Sequence, residues 1–265
     1  MDPFEQFKNA QKQGWAHFAP LEMTTMLPAA RLVKFAGIAP GMRVLDVACG
    51  TGVAAIPAAR TGAKVTALDL TPELLERARF NANLAGLEIE WHEGDVEKLP
   101  FPDSAFDAVI SQFGHIFAPR PAMAVSEMLR VLRPGGTIAF STWPPDLLTG
   151  RMFALVARYM PPPPVSAPPP AQWGDPNVIL ERLGSAVRDV TFDRGVMLAA
   201  ALSPQHFRSF TEKTAGPLIK LVEMYEKSDP ARLAEFRREY DAIAAQYFED
   251  NALQQGYLMT RAIKN

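Results

Sequence analysis

Short apolar runs alternate with helix-like segments through the first half of the chain. The apolar runs predict five strands, at 42–47, 64–70, 89–95, 106–112 and 137–143. Helical spacing and helix-start signals predict helices at 53–60, 71–86 and 121–132. The links between these elements are mostly short, which is typical of a parallel sheet with helices on both faces. The pattern therefore predicts a Rossmann-like, doubly wound α/β fold.

The pattern changes after Trp143. Strand-like segments near 186–194 and 256–263 bring the predicted, mostly parallel sheet to seven strands. The rest predicts helical additions around a core at about 38–143, namely at 1–37, 144–183 and 196–250. Seven prolines between 161 and 170 favour a polyproline-type loop, either a stiff connector or part of a pocket wall. We expect one domain over residues 1–265.

Composition narrows the classes of function. The chain has 265 residues, and 48% of them are hydrophobic, which is enough for a sizeable core. The formal net charge is −2, whereas nucleic-acid binders usually carry an excess of basic residues. Cys49 is the single cysteine, which excludes an intramolecular disulfide, a four-cysteine zinc site and a cysteine-held iron–sulfur cluster. The first residues lack the apolar run of a signal peptide, and no apolar window of 18 residues occurs. We therefore expect a cytoplasmic protein with no membrane span.

The segment VLDVACGTG, at 44–52, leads from an apolar strand into two glycines. Glycines let a ligand approach the main chain, so Gly50 and Gly52 predict a cofactor loop. Asp69 and Asp95 end the next two predicted strands, where carboxylates can accept hydrogen bonds from ribose hydroxyls and from an adenine amino group. Taken alone, each feature has a plainer reading, as a tight turn or a solvated acid. Together, the three strand ends favour a cofactor that contains a nucleoside.

Asp46 bears on the choice of cofactor. The residues GTGVAA, at 50–55, fit the G-x-G-x-x-A pattern of dinucleotide sites, so an NAD(P)-dependent oxidoreductase stays an alternative. S-adenosylmethionine carries an ammonium and a carboxylate where NAD carries a pyrophosphate. A carboxylate beside the loop attracts the ammonium and opposes the pyrophosphate, which favours S-adenosylmethionine.

Four ordered motifs carry a family resemblance, over roughly residues 40–143: VLDVACGTG, ALDLTPELLERAR, EGDVEKLPFPDSAFDAVIS and EMLRVLRPGG. They resemble the class I S-adenosylmethionine-dependent methyltransferases, and within them the ubiquinone/menaquinone-biosynthesis-like group. Besides Asp46, whose cofactor-binding role follows from its charge, the resemblance implies such a role for the glycine loop and for a set of strand-end residues. It places Ala48, Gly50 and Thr51 at the methionine end, Asp69 and Leu70 at the ribose and adenine, Asp95 and Val96 at the adenine, and Gln112 near the sulfonium. Ala48 departs from the family, which usually has glycine there.

The acceptor side offers fewer signals. His115, just after the fourth strand, is the best-placed candidate for a general base, with a structural role as the alternative. An apolar substrate pocket is predicted from aromatic residues of the additions and strand ends, namely Trp15, Phe18, Phe113, Phe117 and Trp143. No carboxylate cluster suggests a metal site, and no Asn/Asp-Pro-Pro-Tyr-like motif follows the fourth strand.

The predicted function is methyl transfer to a small, apolar or aromatic metabolite by in-line displacement. A non-catalytic S-adenosylmethionine-binding protein stays an alternative, because this reaction makes no catalytic residue compulsory. We expect a small-molecule substrate and no nucleic-acid partner. The helical insert before the last strand predicts either a lid or the surface of a homodimer.

Overall fold

A computed structural model describes residues 2–265. Within them, one mixed sheet has eight strands: β1 (Arg43–Val47), β2 (Lys64–Asp69), β3 (Glu90–Glu93), β4 (Phe106–Gln112), β5 (Leu132–Thr142), β6 (Val187–Ala200), β7 (Phe248–Glu249) and β8 (Ala252–Lys264). The order across the sheet is β3-β2-β1-β4-β5-β8-β6, and β7 pairs with β8 beside this path. The first five strands are mutually parallel, whereas β8 is antiparallel to both β5 and β6. The predicted doubly wound, mostly parallel α/β fold is confirmed, with a two-residue strand added to the expected seven.

Ten α-helices flank this sheet or pack on one another within the described residues. They are α1 (Pro3–Trp15), α2 (Glu22–Phe35), α3 (Ala55–Arg60), α4 (Pro72–Leu84), α5 (Pro121–Val131), α6 (Leu148–Tyr159), α7 (Pro176–Leu183), α8 (Pro204–Thr214), α9 (Gly216–Ser228) and α10 (Pro230–Ala245). Helix α3 begins two residues later than the predicted 53–60, which places Pro57 in its first turn, where a missing backbone N–H costs nothing. Proline stands at or next to the first helical position of most of the others.

The two antiparallel strands are longer than predicted. Strands β6 and β8 pair from Val187 opposite Lys264 to Ala200 opposite Ala252, so both extend past the parallel core. The predicted boundary at 196 between strand and helical addition is therefore wrong, since α8 begins only at Pro204. Met197 and Ala199 are buried while Val196 and Leu198 are exposed. Because all four residues are apolar, the sequence lacks the alternation of apolar and polar residues that indicates a strand.

Two apolar clusters lie in the described residues. The larger one fills both faces of the sheet, with Leu45, Ile110 and Phe140 among its fully buried members. The second joins α6 and the helices α8 to α10, and Phe236 and Leu221 are completely buried in it. The helical additions thus have apolar packing of their own beside the sheet. The predicted organisation as a single domain stays a prediction.

Helix α1 lies between the sheet and the second cluster. Its Gly14 meets Gly216 of α9 so closely that a methyl group on Gly216 would lie 2.6 Å from the Cα of Gly14. Lys220 of α9 donates a hydrogen bond of 3.0 Å to the carbonyl of Ala10. The N-terminal helix is therefore held by the additions as well as by the core.

The glycine contact predicts an asymmetric mutational effect. We expect Gly216→Ala to lower the free energy of unfolding by about 1–3 kcal/mol, because the new methyl overlaps backbone atoms that must shift. Gly14→Ala is the matched control, since its methyl would lie 3.4 Å from the Cα of Gly216 and the site is inside a helix. Urea unfolding of both variants measures the difference. Equal effects of the two substitutions would contradict the packing described here.

Candidate functional site

A cleft opens where the parallel strands end, at the carboxyl edge of the sheet. Most of its wall comes from three sources: α1 and the turn after it, the loops that follow β1 to β3, and the residues at and after the end of β4. The predicted residues that line it are Trp15, Phe18, Ala48, Gly50, Thr51, Asp69, Leu70, Asp95, Val96, Gln112, Phe113 and Phe117. The strand order explains this convergence, because β2, β1 and β4 are neighbours and run in the same direction.

The glycine loop after β1 has a backbone conformation that residues with side chains rarely adopt. Gly50 and Gly52 have φ angles of 55° and 82°, and a methyl on Gly52 would lie 2.9 Å from the Trp91 ring. Ala48 has a φ of 50°, in the left-handed region that costs a residue with a Cβ about 1 kcal/mol or more. Replacing the family's usual glycine by Ala48 thus adds local strain to the loop. A methyl on Gly114 would lie 2.3 Å from the Ala48 carbonyl oxygen, so the segment after β4 presses against this loop.

Asp69 links this loop to the start of α4. Its Oδ2 accepts a hydrogen bond of 2.8 Å from the Gly50 amide, and its Oδ1 accepts one of 2.8 Å from the Thr71 amide. Burial raises the pKa of Asp69, and these two amides partly oppose that shift. A carboxylate has about four acceptor positions, so the side chain keeps capacity for ligand hydroxyls. Thr71 stands at the N-cap of α4, but its side chain makes no cap hydrogen bond there.

Glu22 of α2 holds the same loop from the other side. This buried carboxylate accepts hydrogen bonds from Arg77 and Asn81 of α4, and the Asn81 amide also donates 3.1 Å to the Thr51 carbonyl. These hydrogen bonds and the ion pair with Arg77 lower the pKa of Glu22, although its burial opposes them. No sequence pattern indicates this contact, because Glu22 and Arg77 are 55 residues apart.

Asp46 lies beneath the loop and does not line the cleft. Its side chain is completely buried, and neither carboxylate oxygen has a hydrogen-bond partner. Burial raises the pKa of Asp46 well above its usual value, and the nearby Asp69 adds to the shift. The amide of Ala55 faces the carboxyl and opposes the shift without forming a hydrogen bond. An unpaired buried carboxyl of this kind suits a site that receives a cation.

Asp95 has a protein partner that the sequence did not reveal. The Lys8 ammonium of α1 lies 2.5 Å from Asp95 Oδ2 and 2.6 Å from Oε2 of the buried Glu97. Arg120 donates from its backbone amide and its guanidinium to the same Glu97. Lys8 also lines the cleft, beside Asp95 and Val96, the two residues that the family motifs place at the adenine.

Aromatic side chains form part of the lining of the cleft. Trp15 lies 4.5 Å from the Phe117 ring and 5.6 Å from the Phe18 ring, centroid to centroid. Phe113 stacks on Trp143 at 3.9 Å. Trp143 itself does not line the cleft but supports Phe113 from behind. Four of the five predicted pocket residues thus meet in one wall.

His115 is placed differently from the prediction of a base that faces the acceptor. Its ring is completely buried, 4.7 Å from both Phe140 and Trp173, and does not line the cleft. Burial and the charge of Arg182 lower the pKa of His115 to about 3, so the ring is neutral at physiological pH. Neither ring nitrogen has a hydrogen-bond partner, whereas the backbone amide donates a 3.2 Å hydrogen bond to Ser111 Oγ. The single turn of helix after Gly114 directs the ring into the core, which a strand-end position alone did not predict.

Gln112 lies at the end of β4 and lines the cleft. It is 9% exposed, and neither its amide nitrogen nor its amide oxygen has a protein partner. A buried amide without partners is costly unless it meets a ligand or water. The contact of Gln112 near the sulfonium, which the family resemblance implies, stays a prediction.

No group of three or more histidine, cysteine, aspartate or glutamate side chains is arranged to hold a metal ion within residues 2–265. None of the helices in that range is both long enough and apolar enough to cross a membrane.

Comparisons with known proteins agree with this geometry. A family model described as "Methyltransferase domain" matches residues 44–136, which span the glycine loop, β2 and β4. An uncharacterized protein of Mycobacterium tuberculosis is 40% identical over 234 residues, which cover 88% of this chain and 85% of that protein. A demethylmenaquinone methyltransferase of Renibacterium salmoninarum is 41% identical over 107 residues, which cover 40% of this chain and 44% of that protein.

A solved structure adds a liganded relative of the fold. The Haemonchus contortus phosphoethanolamine N-methyltransferase 2, in complex with phosphomonomethylethanolamine and S-adenosylhomocysteine, has a TM-score of 0.55 and 20% identity. The match covers 89% of this chain and 52% of that one. Fold, cleft and sequence matches together define a methyltransferase with a nucleoside cofactor. The chain belongs to the class I S-adenosylmethionine-dependent methyltransferases, and S-adenosylmethionine is its cofactor.

The unpaired carboxyl of Asp46 predicts a dependence of stability on pH in the cofactor-free protein. Its folded pKa lies above the ordinary value of 3.8, so stability falls as the pH rises from 3.8 through the folded pKa. Asp46→Asn removes the ionisable carboxyl and should therefore raise the melting temperature at pH 7.5 more than at pH 4.5. Differential scanning fluorimetry without cofactor tests this, with the exposed Asp146→Asn as control. A variant less stable than the parent at pH 7.5 would refute the assignment of Asp46 as an uncompensated buried acid.

Proposed function

We propose that this protein transfers a methyl group from S-adenosylmethionine to a small, apolar or aromatic metabolite. The observation that carries the proposal is the single cleft in which the glycine loop, Asp69 and Asp95 meet an aromatic wall. The first three suit the two ends of an adenosyl cofactor, and the wall suits a flat apolar acceptor. The oxidoreductase alternative receives no support from the comparisons.

The proposed cofactor roles follow the chemistry of each residue. The buried carboxyl of Asp46 would be ionised by an approaching ammonium group and would hold the methionine end by charge. Loop residues Ala48, Gly50 and Thr51 would offer main-chain contacts there, because no long side chain covers their backbone. Asp69 would accept from the ribose hydroxyls, and Asp95 would accept from the adenine amino group. The apolar side chains of Leu70 and Val96 would flank the base.

The proposed chemistry asks little of the protein beyond alignment. When bound, the cofactor supplies a methyl group on a positively charged sulfur. Gln112, with both amide atoms free of protein partners, would make polar contacts near that sulfur. Phe113, Phe117, Trp15 and Phe18 would exclude water and orient the acceptor, with Trp143 holding Phe113 in place.

A general base is not part of this proposal. His115 is buried away from the cleft, and the Cys49 thiol has its pKa raised well above normal by burial. Asp95 is paired with Lys8, and Asp69 with two amides. We infer that the acceptor reacts through an atom that already carries a free electron pair, or loses its proton to solvent.

Incubation with a panel of phenols, amines, thiols and quinone precursors tests the activity, with S-adenosylhomocysteine formation as the readout. Turnover of at least one apolar acceptor is expected. Tight binding of S-adenosylhomocysteine without turnover of any compound would favour the non-catalytic alternative. Thermal stabilisation by NAD(P) and not by S-adenosylhomocysteine would overturn the cofactor assignment.

The ribose role of Asp69 has its own test. Asp69→Ala should weaken S-adenosylhomocysteine binding by at least about 1.5 kcal/mol, roughly tenfold, because charge-assisted hydrogen bonds are lost. Isothermal titration calorimetry measures the affinity, and Asp146→Ala on the surface serves as the matched control. Unchanged affinity in the Asp69 variant would show that the ribose contact is wrongly assigned.

A further inference from the structure

Lys8 is the feature of the cleft that neither the motifs nor the family match explains. Residues 44–136 contain every matched position, and Lys8 lies outside them on α1. Its side chain is only 5% exposed, yet it lines the cleft together with Gly94, Asp95 and Val96. An ammonium group so enclosed needs negative partners, and it has two at 2.5 and 2.6 Å.

The charges around Lys8 are balanced without any ligand. Asp95 and Glu97 contribute two negative charges, and Lys8 and Arg120 contribute two positive ones. Glu97 is also held by Arg120, so its charge is compensated from two sides. Burial opposes the charged form of Lys8, but its hydrogen bonds to the two carboxylates outweigh this and raise its pKa. Lys8 therefore stays protonated and remains a hydrogen-bond donor in the cleft.

Both members of the Lys8–Asp95 pair keep unused hydrogen-bonding capacity. An ammonium has three N–H donors, and two of those of Lys8 are directed to Asp95 and Glu97. Asp95 accepts from Lys8 at Oδ2 and from the Glu97 amide at Oδ1, which leaves two of its acceptor positions. The cleft thus presents a donor and an acceptor side by side.

This pairing matches the edge of an adenine base. Adenine carries an amino group, which donates, flanked by the ring nitrogens N1 and N7, which accept. A carboxylate can accept a hydrogen bond from this amino group, while the ammonium beside it donates one to the adjacent ring nitrogen. We propose that Lys8 is a base-reading residue of the cofactor site, donating to the adenine ring nitrogen that flanks the amino group held by Asp95.

The inference rests on the proposed cofactor roles and adds a residue from outside the methyltransferase motif region. It also differs from a purely structural role, in which Lys8 only fastens α1 to the loop after β3. A fastening role predicts an equal loss of affinity for every adenosyl ligand when Lys8 is replaced. A base-reading role predicts a loss only for ligands that carry the ring nitrogen.

The test is a cycle between one side chain and one ligand atom, read by calorimetry without turnover. S-adenosylhomocysteine and its 1-deaza and 7-deaza analogues are titrated into the wild-type protein, Lys8→Met and Lys12→Met. Lys12 is the matched control, since it lies one turn further on α1, pairs with Glu93 and does not line the cleft.

We expect the wild-type protein and Lys12→Met to bind one of the two deaza analogues roughly tenfold more weakly than S-adenosylhomocysteine, because one charge-assisted hydrogen bond is missing. Lys8→Met should bind S-adenosylhomocysteine about tenfold more weakly and should no longer distinguish that analogue from it. The analogue that is discriminated identifies the ring nitrogen.

Two results would overturn the proposal. One is equal affinity of the wild-type protein for all three ligands, a measurement that remains decisive even if Lys8→Met fails to fold. The other is an equal loss of affinity for all three ligands in Lys8→Met, which would leave Lys8 with a structural role alone. Failure of the wild-type protein to bind S-adenosylhomocysteine at all would instead refute the cofactor roles on which the inference rests.

Discussion

The Asp69 carboxylate joins the two backbone segments between which the cofactor must fit. One oxygen accepts from the glycine loop and the other from the start of α4, so a single side chain sets the spacing of loop and helix. Both hydrogen bonds are charge-assisted, and both lie in the buried interior, where such bonds are strongest. Glu22 acts on the opposite side of the same loop through Arg77 and Asn81. The geometry of the cleft thus depends on buried carboxylates that bind the protein first and keep capacity for a ligand.

Much of this site could be predicted because its chemistry is local in sequence. Gly50 and Gly52 follow the end of one strand, and Asp69 ends the next. Once the strand directions are known, few other positions in the fold are open to these residues. Parallel neighbours bring such ends to one edge of the sheet whatever the intervening residues are. The strand boundaries were less predictable. Buried and exposed positions alternate along the end of β6, but the residues at both kinds of position are apolar. Only the pairing with β8 shows how long β6 is.

The residues that escaped prediction act over long separations. Lys8 meets Asp95 across 87 positions, and Glu22 meets Asn81 across 59, so no spacing rule connects them. The error at His115 has a different origin. Its position after β4 was read correctly, but a single helical turn rotates the ring toward Trp173, and periodicity does not resolve such a rotation. Side-chain direction in a loop is set by tertiary packing, which the one-dimensional pattern does not contain.

The close meeting of Gly14 and Gly216 has a consequence for how the protein can diverge. Helix α1 carries Lys8 and Trp15, and its far side rests on α9 with no side chain between the two backbones. A substitution in α9 that displaces Gly216 would press directly on the backbone of α1, and so on the part of the cleft wall beside Asp95. A change among the helical additions can therefore reach the cleft without altering any residue that lines it.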